Sequence, residues 1–484
     1  MAISKIKILF LLIVIIGCTL SISLSFYYIG LYDNYHLNGN THIMLKEETF
    51  YHWWEGAKIV EQIKGGVSIF VAGGDTITKP LPQRLVALYS ILLNFDIVDN
   101  WDNLKLNLGN KFLFLSIQSL FYYVALFYFL LKVSKFFPTK ISVGIALFLS
   151  LEPTIFQYHS SFWTESLYFS LQLIIFALMI DEKNNPQKFI ILGLMLGILF
   201  LQRSAGIFYI FVVIIYYLLF LKKNKIMSIM LIVSTYSIIC FGLGIHNYKK
   251  SGVFYIMPLE GKYGMYRYFS LGILAKTNNI SEDLVIKSEK KKSYEWVVKN
   301  FSPQEKNNLI KIKNNFDNIG SPTGIGRNIE KGITKIKYYD YLNQRSYKIL
   351  LGNPVEVFKK VINGFVHFSV LNPFFVYFDY EFYKNKSSGE IGDFAFTKTH
   401  RELIPYRIIY SILIYAISII GFFLCFKRYP KITFLIIFSI LYYYLILGWY
   451  GKTRLFVPIL IYNSIFFGNG LICIWDKLKK NYLK

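Results

Sequence analysis

The chain has 484 residues, 54% hydrophobic and 17% charged, with 53 Lys and Arg against 29 Asp and Glu for a net charge of +24. Soluble chains carry about 25% charged residues, so this composition excludes a soluble enzyme and a disordered protein. The positive charge lies between long apolar runs, which points to membrane anchoring and anionic lipid and to no nucleic-acid partner.

A helix needs roughly 20 apolar residues to cross a hydrocarbon layer ~30 Å thick. The first candidate, 8–32, is free of charge and follows Lys5 and Lys7. It exceeds a signal-peptide core and no small-residue cleavage site follows, so a retained helix with its N-terminus inside is expected. Further spans are expected at about 112–131, 141–157, 164–180, 189–201, 206–221, 226–246, 407–426, 432–449 and 455–474. Short loops with Lys132, Lys135 and Lys140, with Lys183 and Lys188, with Lys222, Lys223 and Lys225, and with Lys427, Arg428 and Lys431 then share one side with the lysine-rich tail. Positive residues favour the cytoplasmic side, so that side is read as inside.

Two long segments, 33–111 and about 247–406, fall outside. The organisation is therefore an N-terminal transmembrane core over 1–246, a large basic extracytoplasmic region over 247–406, and C-terminal helices with a cytoplasmic tail over 407–484. Residues 281–348 are polar and read as helical, with a break from Gly320 to Gly326. The short apolar stretch 364–378, interrupted by Pro373, reads as re-entrant or interfacial. A bias to Lys, Asn, Ile and Phe suits an AT-rich genome and the plasma membrane of a bacterium.

Cys18, Cys240, Cys425 and Cys473 lie in or beside apolar runs and define neither a disulfide framework nor a metal spacing. Asp33, His36 and His42 likewise lack ligand spacing.

Polar residues concentrate in three places. In the first outer loop, Phe50, Trp53, Trp54, Ala57 and Val60 recur at helical spacing and give an apolar face suited to the membrane interface. Glu47 and Glu48 fall in the first turn of that helix. They suit a dipole-stabilised cap, and equally a general base, since adjacent carboxylates raise each other's proton affinity. The second place runs from Glu152 through His159 to Glu165. Thr164 and Glu165 open the next helix and suit a cap; Glu152 is expected to pair with Arg203, and His159 reads as structural. An ionisable group at the mouth of a span is costly unless paired or working. The third is a set of cations: Lys79, Arg84, Arg203, Lys452 and Arg454. Arginine binds phosphate bidentately, whereas simple snorkelling suits Lys452 best.

Six short motifs now occur in order along nearly the whole chain. They are Glu47-Glu48-Thr49-Phe50-Tyr51 with Ala57 and Gly65; Lys79-Pro80-Leu81-Pro82; Pro153 through Thr164-Glu165-Ser166-Leu167; Leu194, Gly197 and Gln202-Arg203; His246-Asn247-Tyr248 to Gly252; and Gly451, Arg454 and Pro458. In these the chain resembles the GT-C glycosyltransferases of the dolichyl-phosphate-mannose–protein mannosyltransferase and lipid A aminoarabinose transferase type. It departs from their pattern in three ways: Glu47 stands for the usual Asp, His246 for Arg, and Leu81 breaks the Pro-Pro pair. No motif matches over 270–345.

The resemblance implies an all-α polytopic membrane protein with a GT-C-like helix bundle and extracytoplasmic loop helices. It implies a sugar moved from a polyprenyl-phosphate donor to a protein, lipid-linked glycan or surface polysaccharide by one inverting displacement. Glu47 or Glu48 would act as base, with Glu165 orienting the acceptor or a cation. Lys79, Arg84, Arg203 and Arg454 would hold the lipid phosphate, and Tyr51, His246 and Asn247 would contact the acceptor or loop. No cofactor is implied, and a divalent metal is left open. An O-antigen ligase- or polymerase-like enzyme, or a lipid-linked-glycan transporter or flippase, is the rival reading; a flippase should show paired repeats or mid-membrane charges, which the sequence lacks.

Overall fold

A computed structural model describes residues 2–36, 47–68, 72–73, 80–93, 108–156, 158–159, 164–303, 332–371, 398–448 and 456–482. Among these residues the regular secondary structure is entirely helical. Among the described residues six helices are long and apolar enough to cross a membrane, and four shorter apolar helices accompany them. Over their described residues nine of the ten expected apolar runs fall on one of these helices, and the exception is 141–157.

The bundle begins with α1 (Ala2–His36), α4 (Leu108–Val133), α5 (Thr139–Leu151), α7 (Thr164–Ile180), α8 (Pro186–Gln202), α9 (Tyr209–Phe220) and α10 (Lys225–Ser251). Between α1 and α4 lie α2 (Glu47–Lys64) and α3 (Pro80–Leu93), and the single turn α6 (Pro153–Phe156) follows α5. The bundle closes with α16 (Lys398–Arg428), α17 (Pro430–Leu447) and α18 (Val457–Tyr482). Phe10, Tyr122, Phe129, Phe169, Phe176, Phe200, Tyr209 and Tyr462 are fully buried in one continuous core. The outside is apolar too: Leu12, Val124, Ile238, Ile412 and Phe423 stand exposed where lipid would lie.

The run expected as one span at 141–157 is broken. α5 has 13 residues, about 20 Å at 1.5 Å per residue, and ends at Glu152 in an extended conformation. The cause is Pro153, which disfavours helical geometry in the residue before it.

Among the described elements, α16 and α18 share the most extensive contact. A Cβ at Gly421 would collide with the carbonyl of Phe466, and one at Gly470 with that of Ile417. In a bilayer, where lipid competes equally for apolar side chains, small residues of this kind let backbones meet and gain dispersion.

The segment between the two sets of spans folds on itself. It comprises α11 (Glu260–Gly264), a π-helical turn at Met265–Ser270, α12 (Leu271–Thr277), α13 (Glu282–Asn300), α14 (Gly332–Gly352) and α15 (Pro354–Ser369). Ser281 caps α13 by accepting from the Leu284 amide. Its own core is built from Tyr266, Phe269, Ile273, Val285, Val297, Tyr339 and Leu342. At its centre Arg345 donates Nε and Nη2 to the two oxygens of Glu289, both at 2.8 Å, and Lys292 adds a third bond at 2.8 Å. The helical reading of 281–348 thus holds over α13 and α14, while the break from Gly320 to Gly326 lies outside the described residues. Of 364–378, residues 364–369 form the end of α15, and 372–378 lie outside the described residues.

Candidate functional site

Helices α2 and α3 form a hairpin. Ile59 and Val60 of α2 pack with Ala72 and Ala87, and Gly56 sits where any Cβ would press on Val86. The expected helix around Phe50–Val60 is α2, whose first turn holds Glu47 and Glu48 and whose next turn holds Tyr51. The side chains of these three lie outside the described residues, as do Lys79, Lys452 and Arg454 altogether.

Helix α3 was not anticipated within the first outer loop. It starts on Pro80, whose fixed φ suits a first helical position. Arg84, one turn on, donates Nη1 to the Pro80 carbonyl at 3.0 Å and Nη2 to the Ala72 carbonyl at 3.4 Å. The same Nη2 lies 3.2 Å from Nε2 of His246. Guanidinium groups donate and never accept, so the His246 nitrogen accepts and is unprotonated. Burial pulls the pKa of Arg84 down from its ordinary value, and the two carbonyls offset that loss of hydration.

His246 and Asn247 close α10. Asn247 is fully buried and donates Nδ2 to the Tyr255 carbonyl at 2.7 Å. The helix then stops at Gly252, whose φ of +74° is left-handed and whose amide bonds the Tyr248 carbonyl. A glycine suits that C-cap because a Cβ there would be strained. The motif from His246 to Gly252 is therefore a helix end that fixes both the partner of Arg84 and the entry into the next segment.

A second polar cluster forms at the start of α7. Glu165 is buried and pairs with Arg203 Nη1, which also reaches Thr164 Oγ1 at 3.3 Å. Gln202 donates Nε2 to the Thr164 carbonyl at 2.8 Å. The expected pairing of Glu152 with Arg203 is thus corrected. Glu152 instead accepts from Thr154 Oγ1, the Ile155 amide and Tyr410 OH, each at 2.8 Å. The turn at Pro153 carries Thr154 and Ile155 back onto the carboxylate, and Arg203 meets the nearer carboxylate at the start of α7. His159 is fully buried, bonds Ser166 through Nδ1 at 2.7 Å and lies against the Tyr122 ring, which fits its structural reading.

Sequence reasoning missed the polar layer beneath Arg203. The guanidinium lies 5.8 Å from the Tyr168 ring centroid; Tyr168 OH bonds Tyr443 OH at 2.8 Å, and Gln172 donates to Tyr443 OH at 2.7 Å. Tyr209 OH bonds Ser439 Oγ at 2.8 Å. The available signal was Gln172 inside an apolar span, since an amide in that position must find partners on neighbouring helices. The bond to His246 puts Arg84 at the end of α10 away from Lys222, Lys223 and Lys225, and Arg203 follows the end of α8 away from Lys183 and Lys188. Among the described residues no three His, Cys, Asp or Glu side chains converge as metal ligands would.

No protein-family model and no curated protein sequence matches the chain. Solved structures do. One is the oligosaccharyltransferase of Archaeoglobus fulgidus in its apo form: TM-score 0.51, 12% identity, 98% of this chain and 51% of that one. Another is the archaeal oligosaccharyltransferase AglB of the same organism, in complex with an inhibitory peptide and a dolichol-phosphate: TM-score 0.50, 12% identity, 98% and 51%. A third, ArnT from Cupriavidus metallidurans bound to undecaprenyl phosphate, has TM-score 0.36 at 12% identity and covers 96% of this chain and 77% of that one. The chain thus spans about half the length of the two archaeal structures. The agreement of those two with this chain is one of fold alone: an all-helical bundle with helices long and apolar enough to cross a membrane.

Proposed function

We propose that the protein is a membrane glycosyltransferase that moves a sugar from a polyprenyl-phosphate donor to an acceptor hydroxyl at the extracytoplasmic face. The observation that carries the reading is Arg84, a half-buried cation held by two backbone carbonyls and His246 in a helical membrane bundle. A fixed guanidinium on a fold whose solved examples include an oligosaccharyltransferase in complex with a dolichol-phosphate suits the phosphate of a lipid-linked sugar.

In this reading the acceptor oxygen attacks the anomeric carbon, and the bond from that carbon to the phosphate oxygen breaks with its electron pair leaving on the lipid phosphate. The acceptor proton passes to Glu47 or Glu48, and cations stabilise the departing phosphate. Arg84 is the first of those cations; Arg203 is secondary because Glu165 already neutralises it, and Lys79 and Arg454 complete the proposed set. His246 and Asn247 position rather than react: one holds Arg84, the other the chain after α10. The acceptor is a protein or a glycan, and the membrane that holds the enzyme is a bacterial plasma membrane.

The test is release of polyprenyl phosphate by the purified protein in lipid, from a panel of polyprenyl-phosphate sugars, for wild type, Glu47→Gln and Glu48→Gln. Loss of turnover in one glutamine variant, with folding intact, supports the reading and names the base. Turnover unchanged in both makes the pair a helix cap and moves the base elsewhere. No release from any donor overturns the transferase reading.

A further inference from the structure

Helix α15 carries two apolar faces. Val357 and Val361 pack against the core of the segment between the spans, and Phe368 is buried against the bundle. On a different face, Val355, Phe358, Ile362 and Val366 recur every three or four residues, and Leu351 and Tyr347 of α14 extend the row backwards. These six side chains are 44% to 81% exposed. Folded segments in water rarely leave so continuous an apolar row bare.

The helix cannot roll to hide it. Lys360, on the polar side, donates to the carbonyls of Tyr268 and Phe269 at 3.0 and 3.1 Å. The C-terminal end is tied just as firmly: Ser369 Oγ bonds Tyr444 OH at 2.7 Å, Tyr415 OH donates to the Ser369 carbonyl, and the Leu371 amide donates to Ser411 Oγ at 2.9 Å. Phe365 lies over Gly448. Tyr415 and Ser411 belong to the span Pro405–Arg428 and Tyr444 to Pro430–Leu447. Ser411 and Tyr444 stand toward the ends of those helices away from Lys427, Arg428 and Lys431, and Tyr415 lies about midway along its span. Helix α15 is therefore tied to the lysine-poor halves of these two spans, with its bare row fixed in direction.

We propose that α15 is an interfacial membrane helix whose Val355–Val366 face is buried in the leaflet on the lysine-poor side. There it gives the segment between the spans its own attachment to the bilayer. The occupant of the face is lipid: the helix that carries the row is tied to two apolar spans whose own Ile412, Leu413 and Leu445 are likewise exposed, and exposed Lys348 and Lys359 flank the row. The inference stands on this geometry and is independent of the glycosyltransferase reading.

The experiment places nitroxide labels on the full chain in phosphatidylcholine–phosphatidylglycerol vesicles. Single variants Phe358→Cys, Ile362→Cys and Val366→Cys report on the row, Glu356→Cys and Asn363→Cys on the polar side. Unsubstituted protein, labelled in parallel, corrects for the native cysteines. Row labels should relax with oxygen and be shielded from a water-soluble nickel chelate, at a depth of about 5–10 Å; the polar-side labels should do the reverse. Chelate access to the row overturns the proposal, and so does shielding from both reagents, which would mean a second copy or protein cover. An unsubstituted sample photo-crosslinked with a benzophenone phospholipid should give lipid adducts on residues 355–366. Adducts on the Pro405–Arg428 span alone would overturn it as well.

Discussion

Arg84 on α3 donates to Nε2 of His246 on α10, joining positions 162 residues apart. In the sequence Arg84 closely follows the Lys79–Pro82 motif and His246 opens a separate one that runs to Gly252. Together they form one fixture, a cation whose direction is set by three acceptors. Arg84→Ala should lower polyprenyl-phosphate release by about 10²–10³, the usual loss when one fixed donor to a developing anion is removed. Arg84→Lys should recover little, because an ammonium cannot serve the three acceptors from a planar fork. His246→Gln, which keeps an acceptor, should retain more turnover than His246→Ala. Equal rates in all four variants would make the pair a purely structural tie.

The buried Glu165–Arg203 pair leads to a stability test. Glu165→Gln leaves the guanidinium buried without its counter-charge, which costs about 3–5 kcal/mol. Glu165→Gln combined with Arg203→Met should regain most of that loss in thermal unfolding. If the recovered protein still turns over donor, Arg203 serves the fold; if it is stable and inactive, Arg203 serves the phosphate.

The contact of α16 with α18 is backbone on backbone. Gly421→Leu has no room and should cost about 1–3 kcal/mol or more, seen as a lower unfolding midpoint and loss of monodisperse protein in detergent. Gly242→Leu, at a position with open space around it, is the control and should elute as wild type.

The segment between the spans should be acid-sensitive through Glu289. Burial raises the pKa of that carboxyl, but the bonds from Arg345 and Lys292 outweigh it and hold the value to about 2, against 4.5 ordinarily. The unfolded chain then binds more protons in between. The stabilisation is therefore complete above about pH 5 and drains away as pH falls toward 2. Near-UV circular dichroism of the stacked Trp296–Tyr341 pair, followed under denaturant from pH 6 to 3, should show this loss in wild type. Glu289→Gln should be weaker at pH 6 and nearly flat with pH; an equal slope in both would assign the sensitivity elsewhere.

Much of this was legible in the chain because its signals are local. Runs such as 112–131 and 432–449 mark spans by length and hydropathy. Pro153, too, announced a break, although the expected span at 141–157 ran through it.

The partnerships were another matter. Sequence by itself determined an all-helical membrane bundle, the positions of its spans and the islands where polar residues gather, because hydropathy and helix-end chemistry act within a few residues. Only the tertiary structure decided that Arg203 meets Glu165 while Glu152 takes Tyr410, that Arg84 rests on His246, and which face of α15 stays bare. Each of those outcomes depends on packing between helices distant in sequence. A buried charge takes whichever partner that packing brings within reach, and a helix face is covered only if another element arrives to cover it.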